Sequence, residues 1–216
     1  MRSKFDQQLA ALNQELTEMG ATCAQAIGLA AQALEQQDVA LAAPVGQLEE
    51  QTNEQERTIE ALCLKLLLQQ QPVARDLRQI SAALKMITDM ERIGDQAEDI
   101  AEIITYMDCE CANSALLQEM AKDTIKMVTE SVDAYVRRDT ELAKLVIAED
   151  DIVDDYFAKV KKELIAQIAE NPAGGEQTLD FLMIAKYFER IGDHAVNIAE
   201  WVIFSVTGVH KNSEIP

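Results

Sequence analysis

Aromatic residues are scarce in this 216-residue chain: one Trp, four Tyr and five Phe make up only 5% of it. Eight Gly and four Pro are too few for the many tight turns of a β-rich domain or for a proline-rich disordered chain. Basic residues are also few, 19 against 38 acidic ones, leaving a net charge of -19. Such a field repels phosphodiester backbones and anionic head groups, which argues against a nucleic-acid partner. No run of 18 apolar residues occurs, so no membrane-spanning helix is expected. The opening Met1-Arg2-Ser3-Lys4-Phe5-Asp6 leads straight into amphipathic sequence without a signal-peptide core, and the expectation is a cytoplasmic protein. With apolar residues at 48%, the composition suits a helical fold of one large domain or two of about 100 residues each.

Cysteine and histidine add little. Cys23 and Cys63 lie on helical sequence and read as small buried hydrophobes. Cys109-Glu110-Cys111 lacks the two-residue spacer of zinc ribbons and thioredoxin-like motifs and reads as a linker.

What the chain does have is a sentence said twice. Glu91-Arg92-Ile93-Gly94-Asp95 returns 98 residues later as Glu189-Arg190-Ile191-Gly192-Asp193, with Ala97, Ile100, Ala101 and Glu102 matched by Ala195, Ile198, Ala199 and Glu200. Upstream, Met19/Met120, Ala33/Ala134, Asp38/Asp139 and Val45/Val146 align at an offset of 101. The expected fold is all-α: two tandem, homologous three-helix bundles over 1–108 and 113–210, six long helices in all.

Periodicity supplies the helices. Phe5, Leu9, Leu12, Leu16, Met19, Cys23, Ala26, Ala30 and Ala33 alternate by four and three, the seam of a long amphipathic helix. Asp38 is an N-cap for a second helix through Val45, Leu48, Thr52, Ile59, Leu62 and Leu66, with Pro44 a candidate kink. Pro72 marks the next break, and a third helix runs through Leu77, Ile80, Leu84, Met90, Ile93, Ala97 and Ile100 to about Met107. The second half repeats the order: a helix from Ser114 to Arg138, an Asp139 cap, a helix to Glu170, a turn over 171–175 and a last helix carrying the second motif.

Each motif sets its Glu and Asp four residues apart, on one helix face and about 6 Å apart. These acids continue stripes that begin apolar: Leu77, Ile80, Leu84, Thr88, Glu91, Asp95, Glu98 and Glu102 in one half, Leu182, Lys186, Glu189, Asp193, Val196 and Glu200 in the other. The preceding helices carry a matching row, Asp150 and Asp154, aligned with Glu49 and Asn53. Antiparallel packing brings two such rows together as an oxygen-only cluster suited to a hard or borderline cation. The competing view is a solvated or arginine-paired face. Arg92 and Arg190 either neutralise the acids internally or present guanidinium groups to an anion such as phosphate. His194 is matched by Gln96, which argues against a symmetric role as ligand, and His210 lies near an end.

The tandem bundles, the paired Glu-Arg-Ile-Gly-Asp motifs followed by Ile-Ala-Glu, the run Pro72-Val73-Ala74-Arg75-Asp76-Leu77-Arg78 and the opening Phe5-Asp6-x-x-Leu9-x-x-Leu12 resemble the PhoU family of phosphate-uptake regulators over about residues 3 to 208. The resemblance implies metal sites from Glu49, Asn53, Glu91 and Asp95 in one half and from Asp150, Asp154, Glu189 and Asp193 in the other, with Glu102, Glu200, Arg92 and Arg190 as further ligands or anion contacts. It implies iron, with zinc, magnesium or manganese as alternatives, and a homodimer. The implied role is negative control of phosphate uptake and of the phosphate-starvation response, exerted with the ATPase subunit of a phosphate ABC transporter and with a sensor histidine kinase. That places the protein in the cytoplasm, reaching the inner face of the membrane through protein partners. Asn53 departs from the acidic pattern and supplies a carbonyl without charge.

Two other functions compete. A carboxylate-bridged di-iron enzyme would use Glu-x-x-His pairs, and no Glu here has a His three residues on. Neither a nucleophile with its base nor a glycine-rich phosphate loop is present, so no catalysis is expected. A metal-free helical adaptor, its acids serving only as surface charge, is the second. The apolar end Trp201-Val202-Ile203-Phe204-Ser205-Val206 suits core packing, a dimer face or contact with a membrane protein.

Overall fold

The computed structural model describes residues 2–70, 73–107 and 114–210. Cys109, Cys111 and Pro72 lie outside them. Six long helices follow in order: α1 (Arg2–Gln36), α3 (Val45–Gln70) and α4 (Ala74–Tyr106), then α5 (Ser114–Arg137), α6 (Thr140–Glu170) and α7 (Gly175–Thr207), with a one-turn α2 (Val39–Ala42) between the first two. A single 3₁₀ turn, Pro172–Gly174, joins α6 to α7. Among the described residues there is no strand, and no helix is long and apolar enough to cross a membrane.

The repeat shows in how helices start and stop. Gln37 and Arg138, 101 residues apart, both adopt left-handed backbone (φ 54° and 58°) where α1 and α5 end. The aspartates that follow cap the next helix: Asp38 accepts from the Ala40 amide at 2.9 Å, and Asp139 from those of Glu141 and Leu142 at 3.0 Å. The halves then diverge. Pro44 has no amide proton and crowds the preceding turn, so the helix begun at Asp38 stops after one turn and restarts at Val45. Leu145 stands at the equivalent place, and α6 runs unbroken.

The α1 seam is buried as its spacing predicts, with eight of its nine residues in the core and Leu9 packed against it. Cys23 and Cys63 are buried too, and burial pushes both thiols up to about 12, so neither is reactive at neutral pH. Leu77 departs from expectation: it begins the α4 stripe but is 46% exposed, because the stripe reaches past the end of the core. In the apolar end of α7, Val202 and Ser205 are buried, Ile203 and Phe204 lie against the core, and the Trp201 ring meets Phe204 edge-on at 5.6 Å.

Within each half the last two long helices pack antiparallel, α3 on α4 and α6 on α7; between halves α4 lies along α7 and α1 along α5. Two glycines let the paired helices close. A Cβ at Gly94 would stand 2.5 Å from Thr52 Oγ1, and one at Gly192 would stand 3.1 Å from Asp150 Oδ1. Thr52 is fully buried, and its hydroxyl donates to the Glu49 carbonyl at 2.7 Å, so it has no room to retreat. Overpacking costs about 1–3 kcal/mol while replacing a mid-helix glycine by alanine returns about 1 kcal/mol. Gly94→Ala is therefore expected to destabilise the fold by up to about 2 kcal/mol in urea unfolding, Gly192→Ala by less, and adding Thr52→Ala to Gly94→Ala to recover most of the loss.

Candidate functional site

The antiparallel pairing puts the predicted rows opposite one another. Along the α3–α4 seam Glu49 faces Glu98, Thr52 faces Gly94, and Glu56 accepts weakly from the Thr88 hydroxyl at 3.4 Å, leaving Glu91 and Asp95 between. Glu91 lies in the field of Asp95, Glu56 and Glu49. Along the α6–α7 seam Asp150 and Asp154 of one helix meet Asp193 and Glu189 of the other. The eight residues named from sequence thus form two groups of four, one on each seam.

The seams differ in how charge is offset. Arg92 bridges its own motif, 3.4 Å from Glu91 and 3.1 Å from Asp95. Arg190 does not copy it: it lies near Asp99 of α4, whose carboxylate also accepts from the Tyr187 hydroxyl. Lys186, one turn before the second motif, pairs with Glu189 instead. Asn53 donates its side-chain amide to Glu49 at 2.5 Å, which ties the neutral member of the first row to its acidic neighbour. Glu98, over Gly46 of α3, and Glu56 enlarge the first group beyond the four residues expected. Both are visible in sequence as acids at helical spacing from Glu91 and Asn53, though only the fold shows that they face the seam.

Two predicted extras stand further off. Glu102 is exposed one turn beyond Glu98, and Glu200 is half-buried two turns beyond Asp193. His194 turns the other way, its Nδ1 2.9 Å from Asp89 of α4, and Asn197 donates to the same carboxylate at 3.0 Å. This polar clasp between α4 and α7 was not legible, because nothing in one half's periodicity names a partner in the other.

Electrostatics mark both seams as strongly negative. Burial first, and then Asp154, Asp193, Glu189 and Asp151, push the Asp150 carboxyl up to about 6. Burial followed by neighbouring carboxylates also raises Glu91, Glu98, Asp154 and Asp193. The carboxylates facing the seams offer only oxygens, and their mutual repulsion favours a cation, so the chemistry of the donor set is that of a hard or borderline metal ion. Among the described residues, however, no three His, Cys, Asp or Glu side chains are gathered tightly enough to ligate one ion.

A sequence model described as the PhoU domain matches this chain twice, over residues 16–104 and 117–202. The chain belongs to the PhoU family. Curated PhoU relatives span nearly its full length. A phosphate-specific transport system accessory protein PhoU homolog of Clostridium acetobutylicum is 34% identical over 210 residues, 96% of each chain. One of the same description from Pseudomonas aeruginosa is also 34% identical, covering 95% of this chain and 86% of that one. The crystal structure of PhoU from P. aeruginosa superposes with a TM-score of 0.89 at 33% identity, covering 95% of this chain and all of the other. A phosphate transport system regulatory protein PhoU from Streptococcus pneumoniae, at 24% identity and TM-score 0.88, shares the fold.

The folded protein takes up a proton on Asp150 near pH 6, whereas an unfolded aspartate waits until about pH 4. Ionisation of this raised group is therefore a cost that only the folded state bears, and it disappears as pH falls through the folded value. Melting temperatures of chelator-treated protein should rise from pH 7 to pH 5, and Asp150→Asn should raise the pH 7 value and flatten that rise. A profile that falls over this window would contradict the assignment.

Proposed function

We propose that this chain is a metal-binding regulator that restrains phosphate uptake and the phosphate-starvation response, acting with the ATPase subunit of a phosphate ABC transporter and with a sensor histidine kinase. Support for the regulatory role comes from the two PhoU domains and from relatives named as accessory proteins of the phosphate-specific transport system. The observation that carries metal binding is the meeting of Asp150 and Asp154 with Glu189 and Asp193 across one helix seam. Those four residues would hold the ion in the second half, and Glu49, Asn53, Glu91 and Asp95 in the first. Iron is the first candidate, with zinc, magnesium or manganese as alternatives. A bound cation would supply the positive charge that Lys186 alone does not, and gathering the acids around it would link ion binding to the α6–α7 packing. The chain functions as a homodimer and without catalysis in this proposal.

A metal-free adaptor is the second reading, favoured by the lysine and arginine already paired with Glu189, Glu91 and Asp95 and by the spread of the acids. Its acidic rows would then meet a basic surface on a protein partner.

Elemental mass spectrometry of protein prepared without chelator separates the two. Bound metal that falls in Glu189→Ala with Asp193→Ala supports the regulator, and its absence from parent and variant alike leaves the adaptor. Because Asn53 lowers the charge of the first row, Glu91→Ala is expected to reduce the metal-to-protein ratio less than Glu189→Ala; the reverse order would contradict the assignment.

A further inference from the structure

Three arginines from both halves of the chain meet at one corner of the molecule. Arg75 and Arg78 lie in the first turns of α4, and Arg138 is the turn residue that follows α5. Arg138 reaches across to α4 and donates to the Gln79 side chain at 3.1 Å, while Tyr135, one turn earlier on α5, donates to the Gln79 backbone carbonyl at 2.9 Å. Arg75 lies one helical turn before Gln79 and Arg78 immediately before it, so the guanidinium groups share one corner. Arg78 is lodged beneath the end of α7, within 3.5 Å of where a side chain on Gly208 would begin.

This corner holds more donors than its protein neighbours answer. Among the described residues none of the three arginines forms a salt bridge. Arg78 Nε is buried with no hydrogen-bond partner among the described residues. Val73 caps α4 with no side-chain acceptor, leaving amide donors of the first turn at the same place. The Arg138 guanidinium holds its proton less tightly than usual, through burial first and then the charges of Arg75 and Arg78, against which Asp76 offers one carboxylate.

Packing of the repeat does not require these cations. The left-handed turn that Arg138 makes is made equally by Gln37 at the matching place in the first half. Ala173 and Glu176 stand 98 residues after Arg75 and Arg78, and near that opposite end Tyr106 feels Asp180 and Glu102. The arginines have been placed at one end only, in a chain of net charge -19.

We propose that Arg75, Arg78 and Arg138 form a binding site for a phosphate-type oxyanion at the α4–α5 corner, distinct from the acidic seams. Guanidinium forks and helix-start amides suit a tetrahedral anion carrying more than one charge, which accepts several hydrogen bonds at once. Free inorganic phosphate and the phosphate of a lipid head group share this chemistry. The net charge of the chain opposes approach to an anionic surface, which favours the free ion.

The test uses the full chain after chelator treatment, so that any metal on the seams does not contribute. Isothermal titration with inorganic phosphate should give saturable one-to-one binding that weakens as salt is raised. Arg75→Gln and Arg138→Gln should each weaken it about tenfold. Arg75 is exposed, so Arg75→Gln should melt like the parent; Arg138→Gln gives up the hydrogen bond to Gln79 and should melt slightly lower, and both should keep the parent's metal content when made without chelator. Arginine-dependent sedimentation with phosphatidylglycerol vesicles, without binding of free phosphate, would keep the site and assign it to a head group. No saturable binding to either probe, or binding that both variants retain in full, would overturn the proposal.

Discussion

Carboxylates facing carboxylates across a helix seam repel one another, and the local structure of this protein is organised around that repulsion. Glu91 and Asp95 share Arg92, and Glu189 leans on Lys186. Asn53 takes the place of one charge and donates a hydrogen bond to Glu49. Asp150, deepest in the charge of the second seam, has its carboxyl raised to about 6. None of these arrangements removes the repulsion; each relieves part of it. Holding such rows together depends on the close approach permitted at Gly94 and Gly192, where the partner helix contributes Thr52 on one side and Asp150 on the other.

The two halves solve the same problem with different residues. In the first, the relieving cation sits inside the motif and the row opposite includes a neutral amide. In the second, the cation comes from the turn before the motif, and Arg190 is released to Asp99 on the neighbouring half. Duplication followed by such divergence leaves one seam more negative than the other.

Much of this was legible before any coordinates. The four-three seam of α1, the caps at Asp38 and Asp139 and the facing rows of acids follow from helical spacing and from the repeat. Periodicity assigns each residue to a face of its own helix, which suffices where the neighbour is the next helix along the chain. It does not say which helices meet across the halves, so the clasp of Asp89 with His194 and Asn197 was invisible. Nor does it say where a core ends. Leu77 obeys the spacing and is exposed nonetheless, and Lys186 sits on the expected stripe without announcing that it would pair with Glu189.

The side-by-side placement of α4 and α7, with α1 along α5, has a consequence for how the chain comes off the ribosome. α4 is complete at Tyr106, but the helix that covers its other flank is α7, which ends at Thr207. During synthesis the first half must wait, its apolar flank uncovered, until the remaining hundred or so residues have been made and folded back. Such delayed, long-range closure slows folding and leaves a nascent chain open to wrong partners. The net charge of -19 opposes contact between unfinished chains during the wait.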